Sequence, residues 1–172
     1  SYTYFTWRNT KTELTEYFTE LTRTDACEYY QPNLWPNTPD ILNEYLQSGG
    51  RPAFMTRLAL AATLSPSYGI YGPAFELQVN TPFKPGSEEY LNSEKYEIKH
   101  WDTERPDSLK DFIAAVNRIR RDNPALRSNR NLWFNATDND DLLCYSKHTD
   151  DLSSIVLIVA NLNPKNTVSG WV

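Results

Sequence analysis

The segment Asn33-Leu34-Trp35-Pro36-Asn37-Thr38-Pro39-Asp40 runs from an apolar lead-in through two prolines to a single carboxylate. Proline removes a backbone donor and fixes φ, so Pro36 and Pro39 forbid further ladder pairing and force the chain out of a sheet at a defined point. The segment reads as a buried strand, entered near Tyr29, that ends at a working surface with Asp40 presented where the backbone leaves the sheet. A plainer role for Asp40 is to cap the helix suggested by Ile41 to Gln47, and composition alone favours that role.

The flanking sequence decides what kind of sheet this is. Before it, Thr3 to Trp7 is a β-branched and aromatic run that predicts a strand. Thr10 and Glu13 then have the spacing of a capping box, and Leu14, Tyr17, Phe18 and Leu21 fall on one helical face that fades over residues 22–25. After it, a short helical turn should stop at Gly49-Gly50, and Pro52 suits the first turn of a second helix with Phe54, Leu58, Ala61 and Ala62 buried. Pro66 ends that helix. Tyr68-Gly69-Ile70-Tyr71-Gly72 predicts another short strand whose glycines permit close approach. Strand, helix, strand, helix, strand with short connections is the order of a parallel sheet with crossover helices.

Residues 73–107 break the pattern. They carry Pro73, Pro82, Pro85, Gly86 and Pro106 among many Glu and Lys and hold no sustained period, which marks a long functional or disordered excursion; Tyr90, Tyr96 and Trp101 argue against disorder. Ser108 opens a third helix with Leu109, Phe112, Ile113, Val116 and Ile119 as its buried stripe, closed by Asn123-Pro124. Arg118, Arg120 and Arg121 near its end read as a solvated face matched to the helix dipole. From Asn131 the period changes to three β runs, Leu132 to Phe134, Leu142 to Lys147 and Ser154 to Asn161, with a hairpin loop over 148–153 between the last two. That shift predicts a domain boundary near Leu126 to Arg130.

Composition excludes several classes of function. A net charge of -5 in 172 residues, with no dense Lys/Arg run, leaves no surface for a phosphate backbone, so no nucleic-acid partner is expected. The longest apolar run, Ile155 to Ala160, is far too short for a bilayer span, so no membrane role is expected. Cys27 and Cys144, like His100 and His148, are too far apart for a disulfide or metal-ligand spacing, and free thiols suit a cytoplasm. The first residue is Ser1 and the last residues are Gly170-Trp171-Val172, which leads us to expect a piece of a longer polypeptide.

Together the motifs carry a family resemblance. A strand ending at Asp40, then Tyr68-Gly69-Ile70-Tyr71-Gly72-Pro73-Ala74-Phe75-Glu76, His100-Trp101-Asp102, a helix ending at Arg121-Asp122-Asn123-Pro124 and a β region resemble the C-terminal part of an α-amylase superfamily enzyme. More narrowly, Tyr4-Phe5-Thr6-Trp7-Arg8-Asn9-Thr10-Lys11, Trp35-Pro36-Asn37-Thr38-Pro39-Asp40 and the run Ser93 to Asp102 resemble α-1,4-glucan:maltose-1-phosphate maltosyltransferases. The superfamily's usual Asn-His-Asp is replaced by Asn37-Thr38-Pro39-Asp40, a change that this branch shares.

The resemblance implies an α/β fold: about strands six to eight of a (β/α)8 TIM barrel over residues 1–127, then the start of an all-β sandwich over 128–172. It implies retaining transfer of maltosyl units from α-maltose 1-phosphate to the non-reducing end of an α-1,4-glucan, by a cytoplasmic bacterial enzyme, a homodimer at full length, with no cofactor or metal. Asp40 would be the transition-state stabiliser, with nucleophile and general acid upstream of this chain, so these residues alone should be inactive. Lys95 and Tyr96 would bind the far glucose unit of the donor, while Glu76 reads as structural. The competing readings are another hydrolase or trehalose-forming member of the superfamily, and a non-catalytic glucan-binding module.

Overall fold

Thr10 accepts a hydrogen bond from the Glu13 amide while the Glu13 carboxylate accepts one from the Thr10 amide, and this reciprocal cap starts α1 (Lys11–Arg23) in the computed structural model, which describes residues 3–172. Leu14, Phe18 and Leu21 lie on its buried face. After the short α2 (Ala26–Tyr29), β1 (Asn33–Leu34) pairs in parallel with β2 (Ser67–Tyr68), Asn33 opposite Ser67 and Leu34 opposite Tyr68. The connection between them is α3 (Glu44–Leu64), so the second of the two crossover units expected from sequence is present, although each strand is only two residues long and the strand expected over Tyr68 to Gly72 ends at Tyr68. At Gly50, φ is 60° and ψ -160°, which interrupts α3 between the two helical pieces that the glycines and Pro52 predict.

Two expectations are corrected here. Thr3 to Trp7 does not form a strand: Tyr4–Trp7 is a 3-10 turn, closed by the Arg8 amide donating to the Phe5 carbonyl at 3.0 Å. The carbonyls that a ladder would use are occupied by a buried cation. Arg57, from α3, donates to the Arg8 carbonyl at 2.6 Å and the Phe5 carbonyl at 2.5 Å, with its guanidinium 3.8 Å from the Phe5 ring centroid. Burial pushes its pKa down to about 9, which leaves it charged at neutral pH. Asp40, second, caps no helix. Asn43 is the cap of α3, its side chain accepting from the Leu46 amide at 3.1 Å, because the chain makes a further turn before entering the helix.

Beyond β2, α4 (Gly72–Glu76) starts the excursion, which holds little regular structure before α5 (Lys110–Asp122). Glu76 ties the far end back: Ser108 donates to its carboxylate at 2.8 Å and the Leu109 amide to its carbonyl at 2.9 Å. Arg120 departs from the solvated face expected of it, donating to the Pro66 carbonyl at 2.6 Å and stacking 4.5 Å from the Tyr68 ring centroid.

The three β runs appear as β3 (Leu132–Asn135), β4 (Leu142–His148) and β5 (Ile155–Asn161), an antiparallel sheet in the order β3-β4-β5. One face of it shares a core with α1, β1 and α3: Leu132, Leu143, Tyr145 and Ala160 pack with Phe5, Phe18, Leu34 and Leu60. A second apolar cluster, around Phe54, Phe75, Tyr90 and Leu109, lies between α3 and the excursion. Among the described residues, no helix is long and apolar enough to cross a membrane.

Lys147 is fully buried in the first of these contacts and donates to the Thr63 carbonyl at 3.2 Å, one of the carbonyls left open in the last turn of α3. Burial, reinforced by the charge of Arg120, pushes its pKa down to about 7. An unfolded lysine titrates near ~10.4. Between these values the unfolded chain binds more protons than the folded one, so this group lowers stability fully below pH 7 and progressively less as pH rises to about 10. Lys147→Met is expected to stabilise the protein by about 1–4 kcal/mol at pH 7 and by much less at pH 9.5. Urea midpoints of both proteins at the two pH values check this, and an advantage that grows with pH refutes it.

Candidate functional site

The proline segment folds into a tight turn at the end of β1. Pro36 and Asn37 are buried, and the amides and carbonyls of Thr38 and Ile41 pair with each other at 3.1 and 3.2 Å, leaving Pro39 and Asp40 exposed at the tip. The lead-in is held by Trp35, whose ring lies against Gly69; a Cβ there would sit 2.4 Å from the Trp35 Cζ2 atom. The site therefore depends on a glycine just past β2, as its sequence context predicts.

Asp40 and Lys95 meet at this tip. The Lys95 ammonium is in direct contact with the Asp40 carboxylate and lies 3.5 Å from Glu89 Oε1, while the Tyr96 hydroxyl donates to that same Glu89 oxygen at 3.3 Å. The three residues singled out from sequence are thus joined into one cluster by Glu89. The hydrogen bond that Lys95 donates to Asp40, chiefly, raises the Lys95 pKa. Tyr96 keeps 76% of its surface exposed, so its ring face is open to a ligand.

Glu89 is the member that sequence reasoning missed. It sits in an acidic stretch that reads as an ordinary solvated surface, and no spacing to Lys95 distinguishes it from Glu88. Glu88 is used differently: its carboxylate accepts from Trp7 Nε1 at 2.7 Å and its carbonyl from the Leu42 amide at 2.6 Å, which bonds the excursion to the segment after the Asp40 turn.

Asn37 and Tyr71 make a second link. Asn37 is fully buried; its Oδ1 accepts from the Tyr71 amide at 2.9 Å and its Nδ2 donates to the Tyr90 hydroxyl at 2.8 Å. Burial, partly offset by this bond, pushes the Tyr90 pKa up to about 12. The Tyr71 hydroxyl in turn donates to Glu94, which also accepts from Trp101 Nε1 at 2.9 Å. These two bonds, the tyrosine's the larger, hold the Glu94 carboxylate below its usual range. A cavity of about 150 Å³ lies between Tyr71, Tyr90, Glu94 and Trp101.

A carboxylate acceptor, an ammonium donor and an exposed aromatic ring suit a polyhydroxylated ligand, whose hydroxyls use the first two and whose ring face uses the third. Cleaving a glycosidic bond needs a carboxylate and a carboxylic acid flanking it. Asp40 and Glu89 are instead both engaged on one ammonium. Among the described residues, no three His, Cys, Asp or Glu side chains converge in a way that could hold a metal ion.

Comparison with known proteins bears on the whole chain. Residues 134–172 match the family model described as GLGE, C-terminal. A protein of Chlorobaculum tepidum named alpha-1,4-glucan:maltose-1-phosphate maltosyltransferase is 55% identical over 177 residues, covering 99% of this chain and 26% of that protein. One of the same name from Methylacidiphilum infernorum is 52% identical over 172 residues, covering 100% of this chain and 26% of its own length. A Streptomyces coelicolor protein, alpha-1,4-glucan:maltose-1-phosphate maltosyltransferase 1, is 54% identical over 171 residues, covering 97% of this chain and 25% of its own length. The chain therefore spans about a quarter of the length of the curated relatives it matches.

Proposed function

The chain belongs to the α-1,4-glucan:maltose-1-phosphate maltosyltransferase family, and on that premise we propose that the full-length protein transfers maltosyl units, with retention, from α-maltose 1-phosphate to the non-reducing end of an α-1,4-glucan. The observation that carries the reading is the contact of Asp40 with Lys95 at the end of a parallel strand, beside the open ring of Tyr96. Asp40 acts as the transition-state stabiliser, accepting hydroxyl hydrogens of the donor sugar as charge develops at its anomeric carbon. Lys95 and Tyr96 bind the far glucose unit of the maltosyl group. Nucleophile and general acid belong to other parts of the full-length protein, so this chain alone is inactive.

The parallel pair β1–β2, its crossover α3 and the change to consecutive antiparallel strands support a larger architecture. In it, residues 1–127 supply about strands six to eight of a (β/α)8 barrel and residues 128–172 open a β-sandwich domain. The reading extends to a cytoplasmic bacterial enzyme that works as a homodimer without cofactor or metal.

The test is phosphate release from maltose 1-phosphate by the full-length protein with a glucan acceptor. Hydrolysis of starch without that turnover indicates a hydrolase, trehalose formation a different transferase, and maltose binding by this chain with no turnover at full length a glucan-binding module. Lys95→Ala in the full-length enzyme is expected to raise KM for the donor about tenfold, the equivalent of one charge-assisted hydrogen bond. A smaller effect on kcat than on KM, measured by steady-state phosphate release, is the expected signature, and an unchanged KM counts against a role for Lys95 in binding.

A further inference from the structure

We propose that Tyr71 is a positioning residue, a strut that sets the separation between the Asp40 turn and the turn carrying Lys95 and Tyr96; its catalytic meaning rests on the function proposed above. Its two ends are held by different loops. The backbone amide donates to Asn37, three residues before Asp40, and the hydroxyl donates to Glu94, immediately before Lys95. Between them stands an aromatic ring, which has two side-chain torsions and no freedom to shorten. Tyr90 packs edge-on against it at a centroid distance of 5.6 Å and takes the other polar end of Asn37, so the strut cannot swing aside without breaking a second buried bond.

The far end lies in solvent but is held at both carboxylate oxygens. Trp101 Nε1 fixes the second oxygen of Glu94, and the turn beyond it is closed by the Tyr96 and Glu97 amides donating to the Ser93 carbonyl at 3.0 and 3.2 Å. Lys95 and Tyr96 are themselves solvent-exposed, and their side chains bond only to the exposed Asp40 and to Glu89 among the described residues. Exposed ion pairs contribute little to order. The position of the donor-binding pair over Asp40 therefore comes from the Ser93–Glu94 turn, whose buried Ser93 accepts from the Lys95 amide at 3.3 Å, and that of Glu94 from Tyr71 together with Trp101.

Tyr71→Phe in the full-length protein removes one hydroxyl and leaves the ring and the amide bond in place. KM for maltose 1-phosphate is expected to rise about three- to tenfold, the value of one hydrogen bond, with a much smaller change in kcat. Glu94→Ala, which also frees Trp101 Nε1, should raise KM at least as much, the double variant should be no worse than Glu94→Ala alone, and Glu94→Gln, which keeps an acceptor, should fall between wild type and Glu94→Ala. Tyr45→Phe, which removes a comparable bond to the Leu162 carbonyl far from these turns, should leave KM unchanged. Hydrogen exchange reads the strut without sugar: in Tyr71→Phe the Tyr96 and Glu97 amides should exchange about fivefold faster or more. Unchanged exchange at those amides, or an unchanged KM in an active enzyme, overturns the strut. Faster exchange in a protein that does not use maltose 1-phosphate leaves the strut standing and overturns the maltosyl reading instead.

Discussion

Asp40→Asn in the full-length enzyme is expected to lower kcat for maltosyl transfer by about 10²–10³-fold, with a far smaller change in KM. The substitution keeps the size of the side chain and removes its charge. A group whose interaction strengthens as positive charge develops on the sugar acts on the transition state more than on the bound substrate, so its loss appears in kcat. The fold has little to lose. Asp40 sits exposed at the tip of its turn, the bond from its amide to the Thr38 hydroxyl does not involve the carboxylate, and its ion pair with Lys95 lies in solvent. The unfolding midpoint should therefore stay within a degree or two of the wild type. Steady-state phosphate release and thermal unfolding measured on the same preparation check both halves, and a kcat within tenfold of the wild type removes Asp40 from the chemistry.

The second large effect is on stability. Arg57→Ala is expected to destabilise the protein by about 3–5 kcal/mol, from two hydrogen bonds made by a charged donor and the packing lost over the Phe5 ring. The guanidinium and the Arg8 amide both donate to the Phe5 carbonyl, and the guanidinium also fills the space over the Phe5 ring. Arg57→Lys should recover only part of the loss, because an ammonium cannot reach both carbonyls with the geometry of a planar fork. Urea unfolding of the three proteins measures this; an Arg57→Ala variant within 1 kcal/mol of the wild type would falsify the role given to the guanidinium. Since Thr6, next to Phe5, donates to the Trp35 carbonyl at 2.6 Å, the same substitution should loosen the lead-in to the Asp40 turn.

These two residues show how differently legible the molecule is. Local features were readable wherever they depend on neighbours in the chain. The capping box at Thr10 and Glu13, the break at Gly50 and the three β runs with their hairpin are each set by backbone restrictions or by side chains a few residues apart. Reading failed where a distant group intervened. The Thr3 to Trp7 run has every local mark of a strand, yet a cation from α3 takes its carbonyls; Asp40 has every mark of a cap, yet Asn43 performs that role. Arg120 reads as solvated until its contacts with Tyr68 and Pro66 are seen.

By itself, then, the sequence determined the longer helices and the three consecutive β runs, several points where the chain must leave a helix or a strand, and the identity of the family through several long motifs in series. Only the tertiary structure decided which of the many acidic and aromatic side chains of the excursion meet Asp40. Residues 73–107 have no period to fix their path; Glu94 is bonded to Tyr71 outside the excursion, and Glu89 meets Lys95 and Tyr96 only because the excursion folds back on itself. Such a bond depends on distance in space, which an irregular loop does not encode in its spacing.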